Sequence, residues 1–325
     1  MALLAAPLFP QTPAKMGMQF SEFYLHDPYI VTHKSTRTYY LYNGAGARQL
    51  GGSRAGVVTY KSKDLLHWDG PYKVFEVPDG WANPAEGVWA PEVHLYRDKY
   101  YLLATLHNSK TMLDYADEDK LPMYQGKKAK PHMRGTQIFV ADTPDGPFMP
   151  LGNAPGPPSD LMTLDGTLFV EDGVPYMVYA HEWIQVLDGT MEAVPLKEDL
   201  SAAAGPPFLL FKASEAPWAT RQATYVTDGP CLYRTKTDRL LMLWSSYREG
   251  LYVEALAYST SGKLRGPWKQ GEVLVGNDSG HGMLFESFDG KLMMVLHQPF
   301  RQARGKLFEM EDTGNTVRIK RQIVN

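Results

Sequence analysis

The chain has 325 residues, 44% hydrophobic and 12% aromatic, enough to bury a large core within one domain. A formal net charge of −3 gives no reason to expect nucleic acid or an anionic membrane as partner. A single cysteine, Cys231, excludes an internal disulfide, and no run is apolar for long enough to span a bilayer as a helix.

The first 20 residues read as an N-terminal extension. Met1–Pro7 is apolar but lacks a basic flank and is too short for a signal peptide, so it reads as a trimmed or engineered remnant. From residue 21 to 325 one pattern recurs five times: a polar or Gly/Pro step, an apolar run, a turn and an aromatic or apolar return strand. The first unit is His26-Asp27-Pro28-Tyr29-Ile30-Val31, returning as Tyr39-Tyr40-Leu41-Tyr42. The second is Trp89-Ala90-Pro91-Glu92-Val93-His94-Leu95, returning as Tyr100-Tyr101-Leu102-Leu103. The third is Leu164-Asp165-Gly166-Thr167-Leu168-Phe169, returning as Tyr176-Met177-Val178-Tyr179. The fourth is Thr227-Asp228-Gly229-Pro230-Cys231-Leu232-Tyr233, returning as Leu240-Leu241-Met242-Leu243-Trp244. The fifth is Gly280-His281-Gly282-Met283-Leu284-Phe285, returning as Leu292-Met293-Met294-Val295-Leu296.

Behind four of these hairpins a further strand pair encloses a turn region that reaches a Gly-Pro step, at Gly70-Pro71, Gly146-Pro147, Gly205-Pro206 and Gly266-Pro267. Proline has no N–H to donate, so these steps belong to outer turns rather than a central ladder. No long run has helical periodicity. Repetition at intervals of roughly 50 to 75 residues predicts an all-β, five-bladed β-propeller with four-stranded antiparallel blades around a central channel. The polar stretch 107–135, which includes His107, Asp117 and Arg134, reads as a loop inserted in the second blade and laid over one face. Cys231, inside the fourth hairpin, reads as a buried structural thiol.

In a propeller the inner strands converge on one mouth, and the sequence sets Asp27, Asp165 and Asp228 at like positions at the starts of three of them. Gathering three like charges costs stability and raises their pKa values, so such a cluster reads as functional. Glycosidic cleavage uses such a set: a protonated acid at the leaving oxygen and an ionised partner. Trp89 and Trp183 are candidates to stack on a sugar face, although both also suit packing between blades. Glu182 is a candidate ligand to a sugar hydroxyl. The register also sends His281 into the channel. A lone histidine without chelating spacing gives no metal signal.

These units together resemble glycoside hydrolase family 43, enzymes acting on arabinose- and xylose-containing plant polysaccharides, from about Leu25 to Val324. The resemblance rests on His26-Asp27-Pro28, Trp89-Ala90-Pro91-Glu92-Val93-His94, Leu164-Asp165-Gly166-Thr167, Thr227-Asp228-Gly229-Pro230 and Gly280-His281-Gly282. It implies that Asp27 is the general base and Asp165 the carboxylate that tunes and orients the acid. The family's acid is a glutamate in a Glu-Gly-Pro or Glu-Ala-Pro step opening the fourth blade. Here that step is Asp228-Gly229-Pro230, while Glu215-Ala216-Pro217 occurs earlier. Register favours Asp228; side-chain length and reach favour Glu215, which is preferred here with Asp228 as a sugar ligand. The resemblance further implies no required cofactor, with a structural calcium near His281 as an option. The expected activity is inverting, exo-acting release of terminal α-L-arabinofuranosyl units. A β-D-xylosidase, an endo-arabinanase and a non-catalytic carbohydrate-binding propeller are the alternatives.

Overall fold

In the computed structural model, residues 13–115 and 118–323 are described, so Met1–Pro7 and Asp117 lie outside the described residues. The fold is all-β. The first sheet holds β1 (Lys15–Met18), β2 (Tyr29–His33), β3 (Thr38–Ala45), β4 (Gly56–Ser62) and β5 (Trp68–Glu76). The next strands are β6 (Trp89–Tyr96), β7 (Lys99–Met112), β8 (Met123–Tyr124), β9 (Lys127–Lys128), β10 (His132–Ala141) and β11 (Met149–Pro150). They are followed by β12 (Thr163–Glu171), β13 (Val174–His181), β14 (Thr190–Pro195) and β15 (Phe208–Lys212). Then come β16 (Asp228–Arg234), β17 (Leu240–Arg248), β18 (Leu251–Ser259) and β19 (Trp268–Val275). The last are β20 (Gly280–Glu286), β21 (Leu292–Gln298), β22 (Arg304–Asp312) and β23 (Val317–Ile323).

From each lead strand the large sheets run in sequence order, except that β1 follows β5, and the strand ladders are antiparallel with one exception. A single parallel pair, Gly135 opposite Thr163, joins β10 to β12 and fuses the second and third strand sets into one sheet. Part of the expected N-terminal extension is structured, since β1 pairs with the outer strand β5. That pairing includes Gly70 of Gly70-Pro71, so this step sits inside an outer strand rather than in a turn. The stretch 107–135 is likewise not all loop. β7 continues through Met112 and β10 begins at His132, leaving a shorter excursion with its own two-stranded hairpin, β8–β9.

The lead strands β2, β6, β12, β16 and β20 are neighbours in succession, and β20 also adjoins β2. Packing follows from the two-residue side-chain period of strands covered on both faces. In β17, Leu241 and Leu243 face the fifth strand set with Met294, Leu296 and Phe308. Leu240, Met242 and Trp244 face the third, with Val178, Ala180 and Phe211. The unbroken apolar run Leu240–Trp244 is therefore a middle strand between two cores. Another core joins the two ends of the chain, with Leu25, Ile30 and Trp68 against Met283, Val295 and Leu307.

Candidate active site

The lead strands carry a common irregularity. Trp89 pairs with Thr105, yet Glu92 pairs with Leu103, so one extra residue is accommodated on the lead strand. The same offset separates Leu164 from Thr167, Asp228 from Cys231 and Gly280 from Met283. Two residues ahead of the first regular pair, the backbone turns left-handed: Asp27 (φ 49°), Ala90 (40°), Asp165 (52°), Gly229 (55°) and His281 (53°). These five positions are equivalent, which corrects the expected alignment of the aspartates. Asp165 matches Asp27, but the matching residue in the fourth set is Gly229, and Asp228 lies one position earlier. The reason is steric as well as conformational: a Cβ on Gly229 would lie 2.9 Å from two carbons of the His281 ring.

Asp27 stands among histidines. Its Oδ1 lies 2.8 Å from His26 Nδ1 and 3.1 Å from His281 Nδ1. Burial opposes its charge, but the His26 and His281 cations outweigh burial and hold the carboxyl well below the usual range. His281 answers in kind: burial would lower it, yet Asp27 and then Asp165, 4.0 Å away, raise it to about 10. His297 is different. Its Nδ1 accepts the Asp27 backbone N–H at 3.2 Å, so this nitrogen carries no proton. Burial and then His26 lower His297 to about 3. Its 3.4 Å approach to Asp27 Oδ1 is therefore not an ion pair.

Asp165 and Asp228 face the opposite pressure. Asp165 is fixed by its backbone N–H to Thr105 Oγ1 (3.0 Å), and its Oδ2 accepts from the Gly229 N–H (3.2 Å). Burial raises it; His281 pulls against that and Asp27 adds to it. Asp228 is raised well above the normal range by burial, then by the Asp165 and Glu182 carboxylates. Its Oδ2 accepts from the Tyr252 hydroxyl at 3.1 Å, leaving Oδ1 to hold a proton. The chain thus assembles an ionised carboxylate and a carboxyl kept protonated, with the His281 imidazolium against Asp27 and Asp165.

Glu182, ahead of the short helix α1 (Trp183–Val186), joins this cluster. Burial raises its pKa, while Arg134 NH1 at 2.7 Å opposes the rise. Arg134 also donates to His107 Nδ1 (3.0 Å) and lies 4.5 Å from the centre of the Trp89 ring. Trp89 is 43% exposed, with the His107 ring 4.2 Å away. Trp183 is half-buried, with the Tyr124 ring 5.6 Å away. His281 is central, as the register implied, but serves as an ion-pair partner of Asp27.

Glu215 is not brought to this cluster. It ends a short turn, Ala213–Glu215, that follows the outer strand β15, and it is exposed. Its Oε1 accepts the Lys212 backbone N–H at 3.2 Å, closing its own turn. Sequence reasoning passed over several residues that do contribute: His26, His297, Tyr252, Arg134 and, beneath His281, Glu254. Fully buried Glu254 accepts from Ser245 Oγ (2.8 Å) and the Gly282 N–H (2.7 Å), while Ser245 Oγ accepts the His281 N–H (2.8 Å). Burial raises Glu254 to about 7.

The protein groups around His281 do not make up a calcium set. Calcium takes about six to eight oxygens. The two carboxylates here are engaged by His26, His281 and Gly229. His26, Asp27 and His297 bring ligand atoms within 4.8 Å of one another. The two imidazoles, however, stack 3.9 Å apart at 22°, so no ion can lie in the plane of both.

A carboxylate held ionised and a carboxyl held protonated in one buried cluster are the two groups that glycosidic cleavage uses. The sequence matches Glycosyl hydrolases family 43 over residues 20–322, and the chain belongs to that family. It is similar to an endo-arabinase from Bacteroides thetaiotaomicron at 36% identity and TM-score 0.78, over 91% of this chain and 98% of that one. An endo-1,4-beta-xylanase from the same organism shares the fold at 20% identity and TM-score 0.68, over 95% of this chain and 100% of the other. So does an alpha-L-arabinofuranosidase from Lactobacillus brevis, at 17% identity and TM-score 0.65, over 94% and 100%. No curated protein matches the chain.

Proposed function

We propose that this protein is an inverting hydrolase of α-L-arabinofuranosyl linkages that releases terminal units from arabinose-containing oligosaccharides or polysaccharides. The observation that carries the reading is the buried cluster in which His281 lies 3.1 Å from Asp27 and 4.0 Å from Asp165, with Asp27 held ionised and Asp228 held protonated. Asp27 takes a proton from water as the hydroxyl bonds to the anomeric carbon. The glycosidic C–O bond breaks, and Asp228 gives its proton to the departing oxygen. Asp165, beside both, keeps Asp228 protonated by its charge, and Glu182 with Arg134 holds sugar hydroxyls. Asp228 replaces Glu215 as the acid because Glu215 is exposed and occupied in its own turn.

The arabinose assignment draws on the relatives. Terminal action draws on the 107–135 stretch, which stands beside the site through His107 and Arg134. The ring of neighbouring lead strands, with a core joining the first and fifth sets, supports one five-bladed propeller domain over residues 21–325. A second reading, internal cleavage, is favoured by the 36% identical endo-arabinase. Proton NMR of arabinohexaose digestion tests all three points. Early release of arabinose in the β configuration is expected. Mid-length products would establish the endo reading; the α anomer appearing first would exclude inversion.

A further inference from the structure

The β8–β9 hairpin belongs to none of the large sheets. Its strands pair only as Met123 with Lys128 and Tyr124 with Lys127. A pair this short has little stability alone, so its shape needs support. The turn supplies part: Gln125 (φ 49°) and Gly126 (φ 77°) are both left-handed, the two-residue turn matched to strand twist. The base supplies the rest. Ala129 N–H donates to Pro122 O (2.8 Å), Leu113 N–H to Pro131 O (3.0 Å), and both Leu113 and Ala129 pack on the core shared by the third and fourth strand sets. An excursion from the second set is thus anchored across its neighbours.

What this anchoring holds in place is the Tyr124 ring, 5.6 Å from Trp183 at an angle of 58° and still 52% exposed. Trp183 directly follows Glu182. Burial and then the Asp228 charge raise the half-buried Tyr247 hydroxyl, with a smaller contribution from Tyr124. Through Trp183, Tyr124 stands beside Glu182, whose carboxylate acts on Asp228, and among the described residues its ring contact is with Trp183 rather than with the histidines around Asp27. In an inverting reaction the departing sugar lies toward the acid and the attacking water toward the base. An aromatic face open to solvent and fixed beside the acid is suited to the apolar face of a sugar ring.

We infer that the β8–β9 hairpin is the leaving-group wall of the site, with Tyr124 binding the sugar on the departing side of the scissile bond and so selecting oligosaccharides over short glycosides. The inference rests on the hydrolase reading above. The test compares wild type, Tyr124→Ala and Tyr124→Trp on arabinohexaose and on p-nitrophenyl α-L-arabinofuranoside, with the matching xylohexaose and xyloside pair alongside. Tyr124→Ala should lower kcat/KM on the hexasaccharide on the order of five- to tenfold, mainly through KM, and change the aryl glycoside by less than about twofold. Tyr124→Trp should restore the hexasaccharide value. Equal losses on both substrates, or none on either, would overturn the wall while leaving the hydrolase intact. A wild type that cleaves only the xylose pair corrects the sugar, and the same ratio is then read there. A wild type that cleaves neither pair overturns the hydrolase reading and the wall together.

Discussion

The two halves of the site differ in what surrounds a carboxyl of the same kind. Asp27 has imidazoles at 2.8 and 3.1 Å, and these keep it ionised despite burial. Asp228 has a tyrosine hydroxyl at 3.1 Å and carboxylates beyond it, so burial wins and the proton stays. Residue type therefore does not separate base from acid here; the neighbours do. His281 belongs to both halves, because the charge that lowers Asp27 also moderates the rise at Asp165 and Asp228.

Breaking the basic half should have the largest effect. Asp27→Asn cannot accept a proton from water, and turnover of every substrate should fall about a thousandfold or more with the fold retained by circular dichroism. Wild-type-like turnover by the purified variant would exclude Asp27 as base. Breaking the acidic half should be selective. Asp228→Asn is expected to slow arabinohexaose about a hundredfold or more, yet spare aryl glycosides whose leaving group barely needs a proton. Glu215→Gln should be silent on both; the reverse pattern would return the acid role to Glu215.

The bridge between the halves can be read through stability. His281 is raised to about 10, so its contribution is complete below about pH 6.5 and is lost as pH climbs through 10. In His281→Gln the melting temperature should be lower at pH 6 and nearly flat between pH 6.5 and 10. A variant that keeps the wild-type alkaline slope would remove His281 from this account. The smallest effect is expected one layer down. Glu254, raised to about 7, becomes progressively more costly as pH rises from about 4.5 through 7. Glu254→Gln keeps an oxygen for Ser245 and Gly282 without the charge, and should gain roughly 2–4 °C at pH 8 and nothing at pH 4.5. Equal gains at both pH values would point to packing instead.

Much of the scaffold could be read because its signals are local. Leu240–Trp244 announces a strand between two cores, and charged turns such as Asp289-Gly290 set the hairpins. Asp27 and Asp165 were legible because each opens a hairpin beside Pro or Gly. The one-residue displacement of Asp228 was not, since Asp228-Gly229-Pro230 presents the same carboxylate-to-hairpin pattern. Only the ladder offset and the closeness of Gly229 to His281 reveal it. The exposure of Glu215 is hidden for a related reason: a Glu-Ala-Pro step is a local signal, whereas its place in the fold is set by the outer strand before it. Arg134 and His107 were taken for loop residues because they are polar. They lie on strands, where Arg134 is engaged by His107, His132 and Glu182 while the Nε2 of His107 is buried without a hydrogen-bond partner. Glu254 has no sequence signature, because its partners come from two other strands.

The five left-handed positions give the enzyme a particular evolutionary standing. A residue with a Cβ held there costs on the order of 1 kcal/mol or more, and Gly229 is the one place where that cost is relieved. Asp27, Asp165 and His281, which make up the buried charged cluster, occupy seats where glycine would be more comfortable. Ala90 occupies such a seat with no polar group to offer. Glycine at position 27 or 165 would relieve that backbone cost yet strip the buried His281 of a carboxylate partner, so a lineage released from turning over substrate could grow sturdier there only by replacing the histidine as well.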